Sequence, residues 1–386
     1  MPPSPPATQT RVVGYYFAPT VRRGFPVASI EGEHLTHINY AFANISEDGR
    51  AIMGDRCLDI GECGEQPNPH AQPGGNFAEL RRLKQRHPDL RTLIAVGGWG
   101  WSGRFSDAAA TPEARRRFVE TLMATFFTEQ PGVFDGVDLD WEYPVRGGMA
   151  TNAYRPEDSA NYTLLLQDLR RTLDELGRRD GRHYLLTIAA GAGPGHVRNL
   201  DVPALARTLD NINVMTYDYH TGGRIAHFNA PMGASINDPT PAFNTRASID
   251  LFLAAGAPPD KLVLGVPFYG YGYRGVDSVD SGRFRPGTTS PDSSAPNPFV
   301  GAVRFHRIAD ALRAGFVRHW DAHAGVPWLY DARTQTWITY DDAESLAAKA
   351  AFVRDRGLGG IMIWELSGDD GTLLPAIHRH LTSAQP

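Results

Sequence analysis

Eight short runs of apolar, β-branched and aromatic residues recur along the chain, each closed by turn-forming residues. They read RVVGYYFAP from 11, HINYAFANI from 37, RTLIAVGGW from 91, GVDLDWEY from 136, LLTIAAGA from 185, INVMTYDY from 212, LVLGVPFYG from 262 and GIMIWELS from 360. Between most of them the rhythm changes to a repeat of three to four residues. In TPEARRRFVETLMATFF, Thr111 predicts an N-cap, Pro112 the first helical position, and Phe118, Leu122 and Phe126 one apolar face. SANYTLLLQDLRRTLDELG and DDAESLAAKAAFVRDRG repeat the pattern, the latter stopping at Gly357. Strand and helix alternating through eight units predict an α/β protein whose parallel sheet closes into a (β/α)8 TIM barrel. An open doubly wound sheet is the alternative, but no GxGxxG follows the first strand.

One connection breaks the rhythm. Between Tyr269 and Trp337 lie about 67 residues, far more than a usual βα loop. They hold the Gly/Ser/Pro-rich GTTSPDSSAPNP, a helix-like FHRIADALRAG and strand-like VPWLYD and QTWITYD. The expected division is a linker over 1–10, a barrel over 11–268 and 337–386, and a small α+β insertion over 269–336. It stands on the rim where barrel enzymes keep their sites.

Composition narrows the partners. A net charge of −5 with no Lys/Arg block speaks against nucleic acid and against an acidic membrane surface, and no 18-residue apolar run exists. Seven Trp and 14 Tyr, several at strand ends, suit stacking on sugars or bases. MPPSPPATQT lacks the regions of a signal peptide and reads as a linker stub, as if a secretion signal or an upstream module had been trimmed. Cys57 and Cys63, the only cysteines, share one loop, where a local disulfide is favoured over two unrelated thiols. Two cysteines with no HExxH-like cluster predict no metal site.

The fourth run carries the chemistry. FDGVDLDWEYP sets Asp135, Asp138, Asp140 and Glu142 within eight residues. Alternation points Val137, Leu139 and Trp141 one way and Asp138, Asp140 and Glu142 the other. The apolar set must meet the helices, so three carboxyl groups face the barrel interior, where burial disfavours their charge. No basic residue lies on the interior face of any candidate strand. Asp138 and Asp140, one strand step apart, are expected to draw together over one proton, while Glu142 ends the strand at the open face. A column graded from buried to exposed is how a general acid with a raised pKa is built.

The run D-x-x-D-x-D-x-E resembles the signature of the family 18 glycoside hydrolases, the chitinases. GGW after strand 3, MTYD, GVPFYG, TYDD and MIWELSGD follow in that family's order, so the resemblance spans nearly the whole chain. The rim insertion is similar to the insertion domain of bacterial chitinases. The resemblance implies that Glu142 protonates the glycosidic oxygen while the substrate's own 2-acetamido carbonyl attacks C1, giving an oxazolinium ion and retention. Asp140 would orient the acetamido N–H, Asp138 would hold a proton or hydrogen bond that lets Asp140 turn toward Glu142, Asp135 would support the strand's entry, and Tyr217 would donate to the acetamido oxygen. Asp218, Met215 and Tyr15 would support them. Sugar contacts would come from Trp364, Trp141 and Tyr143, with Trp99 and Trp101, and in the same role Tyr269 and Trp320, stacking the outer sugars. No cofactor is implied; the partners would be chitin and chito-oligosaccharides, the enzyme secreted and monomeric.

Three positions depart from that pattern. Ala95 stands where many relatives carry a Ser that helps the tyrosine hold the deepest Asp, leaving Tyr15, and a water, to serve. Gly223 replaces an aromatic on the leaving side, and Tyr271 replaces an Arg. Two competing functions share the fold: a lectin-like relative, which typically lacks the terminal Glu present here as Glu142, and an endo-β-N-acetylglucosaminidase of N-glycans.

Overall fold

A computed structural model describes residues 10–64, 73–289 and 297–382. The expected linker over 1–10, save Thr10, and most of GTTSPDSSAPNP lie outside the described residues.

All eight expected strands form: β1 (Arg11–Phe17), β2 (His37–Ile45), β3 (Arg91–Gly97), β4 (Gly136–Asp140), β5 (Leu185–Gly191), β6 (Asn211–Met215), β7 (Leu262–Pro267) and β8 (Gly360–Trp364). Each pairs in parallel with its sequence neighbours, and β1 pairs with both β2 and β8, which closes the barrel. Helices cover the outside. α1 (Pro112–Met123) starts where Thr111 Oγ1 accepts the N–H of Ala114. α2 (Asp158–Asp180) buries Tyr162, Leu165, Leu166, Leu169 and Leu173, and ends at Gly181 in the left-handed region. α3 (Ala343–Asp355) begins with a reciprocal cap between Asp342 and Ser345.

Two apolar layers follow from the alternation. Val137, Leu139 and Trp141 join the large layer between strands and helices. Inside the barrel a smaller set, with Val13, Tyr15, Ala95, Val263 and Met362, fills the space beneath the open end.

The long connection is an antiparallel five-stranded sheet in the order Gly301–Arg304, Tyr269–Arg274, Thr336–Thr339, Val326–Asp331, Val317–Asp321, with a helix at Ile308–Arg313. Its last strand runs three residues beyond the expected exit at 336, because Trp337, Ile338 and Thr339 pair with Tyr273, Gly272 and Tyr271. A Cβ on Gly270 or Gly272 would meet a backbone oxygen at 1.7 or 1.6 Å, so the first strand can sit this close to its neighbours only as glycine.

Candidate active site

The deepest acid is held by neighbouring strands. Tyr15 donates to Asp138 Oδ2 at 2.6 Å, while Thr187 and Asn213 donate to Oδ1 at 2.5 and 3.2 Å. Burial raises the Asp138 carboxyl to about 6 against these three donors, which favour its charge. Thr187 lies level with Asp138 in the β4–β5 ladder, and Ala95 lies level on the other side. The hydroxyl missing at Ala95 is thus made good from β5 and β6.

Asp140 does not turn down to Asp138. With Asp138 saturated by donors, the Asp140 carboxyl hydrogen-bonds to Glu142, the turn that the family resemblance implies, rather than sharing a proton one step deeper. Burial, then the charges of Glu142 and Asp138, push Asp140 well above the usual carboxylate range. Burial also raises Glu142, with the charge of Asp218 adding to it; hydrogen bonding from Tyr143 and Asp140 opposes the rise. Among the described residues Asp140 Oδ1 has no hydrogen-bond partner. At the strand's entry Asp135 accepts the N–H of Thr92 at 2.9 Å and pairs with Lys84 and Arg182 at 2.8 and 3.1 Å.

Asp140 and Glu142 form the floor of a cavity of about 540 Å³ at the carboxyl ends of the strands. Trp364 lies in the floor, its ring stacked on Phe42 at 5.6 Å and met edge-on by Tyr15 at 5.5 Å. Met215, Tyr217 and Asp218 form one wall. Trp99 and Trp101 form another, 54% and 37% exposed, which leaves large flat rings to solvent. Tyr143 lines the cavity with its ring against His196 at 4.0 Å. No Lys or Arg contributes to this lining.

Asp218 sits at φ 57° and accepts from Tyr269 at 2.7 Å and Tyr271 at 3.1 Å, both from the first strand of the small sheet. Burial lifts it to about 6, and the two phenols restrain the rise. Tyr269 is therefore a support for Asp218 rather than part of the cavity lining, and Tyr271 is its partner. Two expected sugar contacts lie elsewhere. Trp141 is buried on the helix side between Phe105 at 5.3 Å and Tyr162 at 5.1 Å, as its place in the alternation requires. Trp320 is on the outer strand of the small sheet beside the Arg318 guanidinium, away from the cavity.

Cys57 and Cys63 are disulfide-bonded. Asp59, inside the loop they close, and Gly54 and Asp55 just before it line the cavity. Gly223 is exposed and outside the lining; Tyr219, Phe243 and His196 line the cavity instead, none of them foreseen. Only the aromatic character of Tyr219 and Phe243 hinted at it.

A column of acids on β4, an aromatic floor on β8 and a rim sheet after β7 is the arrangement to compare with known proteins. The profile described as Glycosyl hydrolases family 18 matches residues 11–369, the barrel and the small sheet together. The chain belongs to that family. Among its relatives, Chitinase A1 of Niallia circulans is 39% identical over 94% of this chain, which spans 57% of that protein's length. Chitinase ChiA74 from Bacillus thuringiensis superposes with a TM-score of 0.88 at 35% identity, covering 97% of this chain and 70% of the other. A family 18 N-acetylglucosaminidase from Paenibacillus barengoltzii is also 35% identical, with a TM-score of 0.80 over 97% of this chain and all of its own.

Proposed function

We propose that this family 18 chain is a chitinase that hydrolyses β-1,4-linked N-acetylglucosamine polymers and oligomers by substrate-assisted retaining catalysis. The observation that carries the reading is the hydrogen-bonded Asp140–Glu142 pair at the cavity floor, both carboxyls raised by burial. Glu142 is the member at the open end and serves as the acid that protonates the glycosidic oxygen, then as the base for water. The remaining carboxyls are ill suited to attack an anomeric carbon. Asp138 is enclosed by three donors, Asp218 is engaged by two phenols, and Asp140 is committed to Glu142. The nucleophile is then the substrate's 2-acetamido oxygen, which forms an oxazolinium ion. Asp140 Oδ1 is the acceptor for the acetamido N–H, and Tyr217, on the cavity wall, the donor to its oxygen. Trp364 supports the apolar face of the sugar being cleaved, and Trp99 and Trp101 stack the sugars beyond it.

The disulfide suits a secreted enzyme, and a monomer suits work on an insoluble polymer. Glu142→Gln tested on chitotetraose and chitohexaose should lose roughly three orders of magnitude or more in kcat; near-normal turnover sinks the assignment. Cellulose oligomers, which lack the acetamido group, should not be cleaved. Products analysed by length separate a chitinase, which releases oligomers, from an N-acetylglucosaminidase that releases only single sugars.

A further inference from the structure

The backbone of Glu142 is held on both sides of its Cα by side chains from two loops. Its N–H donates to Ser102 Oγ at 2.9 Å, and its C=O accepts from Asn152 Nδ2 at 3.0 Å. The hydroxyl proton of Ser102 faces Gly98 O at 2.8 Å and Asp140 O at 3.0 Å, and the Gly98 N–H donates to Asp140 O at 2.8 Å. Ser102 is fully buried, so its hydroxyl is committed to these backbone groups. The two loops are themselves joined by Ala153 N–H donating to Gly103 O at 3.1 Å. A Cβ on Gly148 would lie 2.0 Å from Glu142 O, which shows how closely the second loop is seated on the acid's carbonyl.

The sheet does not do this work. β4 ends at Asp140, and its last ladder partners are Gly97 on one side and, one residue earlier, Ile188 on the other. Two residues beyond, the position of Glu142 is set by Ser102 and Asn152 rather than by strand pairing. The turn that carries Ser102 also carries Trp99 and Trp101. The Trp101 N–H donates to Gly98 O at 3.2 Å, and its ring abuts Gly54, where a Cβ would sit 2.8 Å away. A sugar stacking on these rings would press on the same seven-residue turn that holds the acid.

We infer that Ser102 and Asn152 are positioning residues that fix the reach of Glu142, and that the turn over 97–103 links occupancy of the Trp99 and Trp101 face to that reach. Long chito-oligosaccharides then gain in turnover as well as in binding. The inference rests on the proposed role of Glu142 as the acid.

The test compares Ser102→Ala and Asn152→Ala with the unaltered chain on chitotriose, chitohexaose and 4-nitrophenyl chitobioside, whose phenol leaves with little help from an acid. On chitohexaose kcat should fall by about tenfold or more with KM within about twofold, because a displaced acid costs the transition state and not ground-state binding. The nitrophenyl substrate should lose less than about threefold, since its leaving group needs less protonation. The advantage of hexaose over triose in kcat should shrink in both variants. Equal losses on the natural and the activated substrate, or a raised KM at constant kcat, overturn the inference. Should Ser102→Ala not fold, Asn152→Ala, half-buried in its loop, decides alone. Glu142→Gln run alongside separates the two levels: its activity on chitohexaose would refute the acid assignment itself, whereas an inactive Glu142→Gln beside unimpaired Ser102 and Asn152 variants refutes only the clamp.

Discussion

Tyr15 reaches across the barrel from β1 to place its hydroxyl 2.6 Å from Asp138 on β4. Together with Thr187 and Asn213 it lets a carboxylate exist where, among the described residues, no Lys or Arg pairs with it. The balance is still unfavourable, since burial wins and the group titrates near 6 in the fold.

That shift has a sign for stability. A carboxyl raised in the folded state adds stability while protonated, below its unfolded value of 3.8, and loses it as pH climbs through about 6. Across that window the loss from this one group is on the order of 3 kcal/mol. Asp138→Asn removes the titration. Its melting temperature relative to the unaltered protein should therefore rise by a few degrees between pH 4 and pH 7. A difference in melting temperature that stays constant with pH would show that burial does not govern Asp138.

Glu142 is tuned from two sides, and the two can be separated. Hydrogen bonding from Tyr143 favours its charged form, whereas the charge of Asp218 opposes it. Tyr143→Phe should move the alkaline limb of kcat/KM on chitotetraose to higher pH, and Asp218→Asn should move it lower. Movement of the alkaline limb in the same direction in both variants would contradict the tuning.

Trp99 and Trp101 differ from Trp364 in what else they support. Trp99 is 54% exposed and Trp101 37%, with its ring against Gly54, so Trp99→Ala should cost less stability than Trp101→Ala. KM for chitohexaose should rise roughly three- to tenfold for each, the worth of one stacked sugar. Trp364 packs on Phe42, Phe17 and Tyr15, so Trp364→Ala should lower both kcat and the melting temperature. Calorimetry beside oligosaccharide kinetics distinguishes the two classes.

The disulfide closes a small loop between Cys57 and Cys63. On chain-entropy grounds it contributes about 2 kcal/mol. Replacing both cysteines by Ser should lower the melting temperature by a few degrees. Asp59 in this loop and Gly54 beside it line the cavity, Gly54 against Trp101, so KM for chitohexaose should rise more than KM for chitotriose. Equal changes for both lengths would show that the loop meets no distant sugar.

The barrel was legible because period-two apolar runs and capped helical stretches alternate without ambiguity. Thr111, Pro112 and Gly357 punctuate the helices where expected. The acid column was legible for the same reason: alternation alone aims Asp138, Asp140 and Glu142 inward. What the chain did not disclose depends on register between strands far apart in sequence. Thr187 and Asn213 look like ordinary polar strand residues until the ladders set them around Asp138. Trp141 illustrates a different limit, since an aromatic beside an acid motif invites a binding role that its face of the strand denies. Ser102 and Asn152 lie in loops, where sequence offers no period to read.

The two phenols that engage Asp218 have a consequence for how this protein can be cut and recombined. Tyr269 and Tyr271 belong to the small sheet by backbone pairing but to the acid cluster by chemistry. The rim sheet is thus no detachable cassette. A chimera that exchanges it at 269 would replace both donors and strip Asp218 of its restraint, lifting its titration further. The seam that respects the chemistry lies past Tyr271, leaving the first half-strand with the barrel that depends on it.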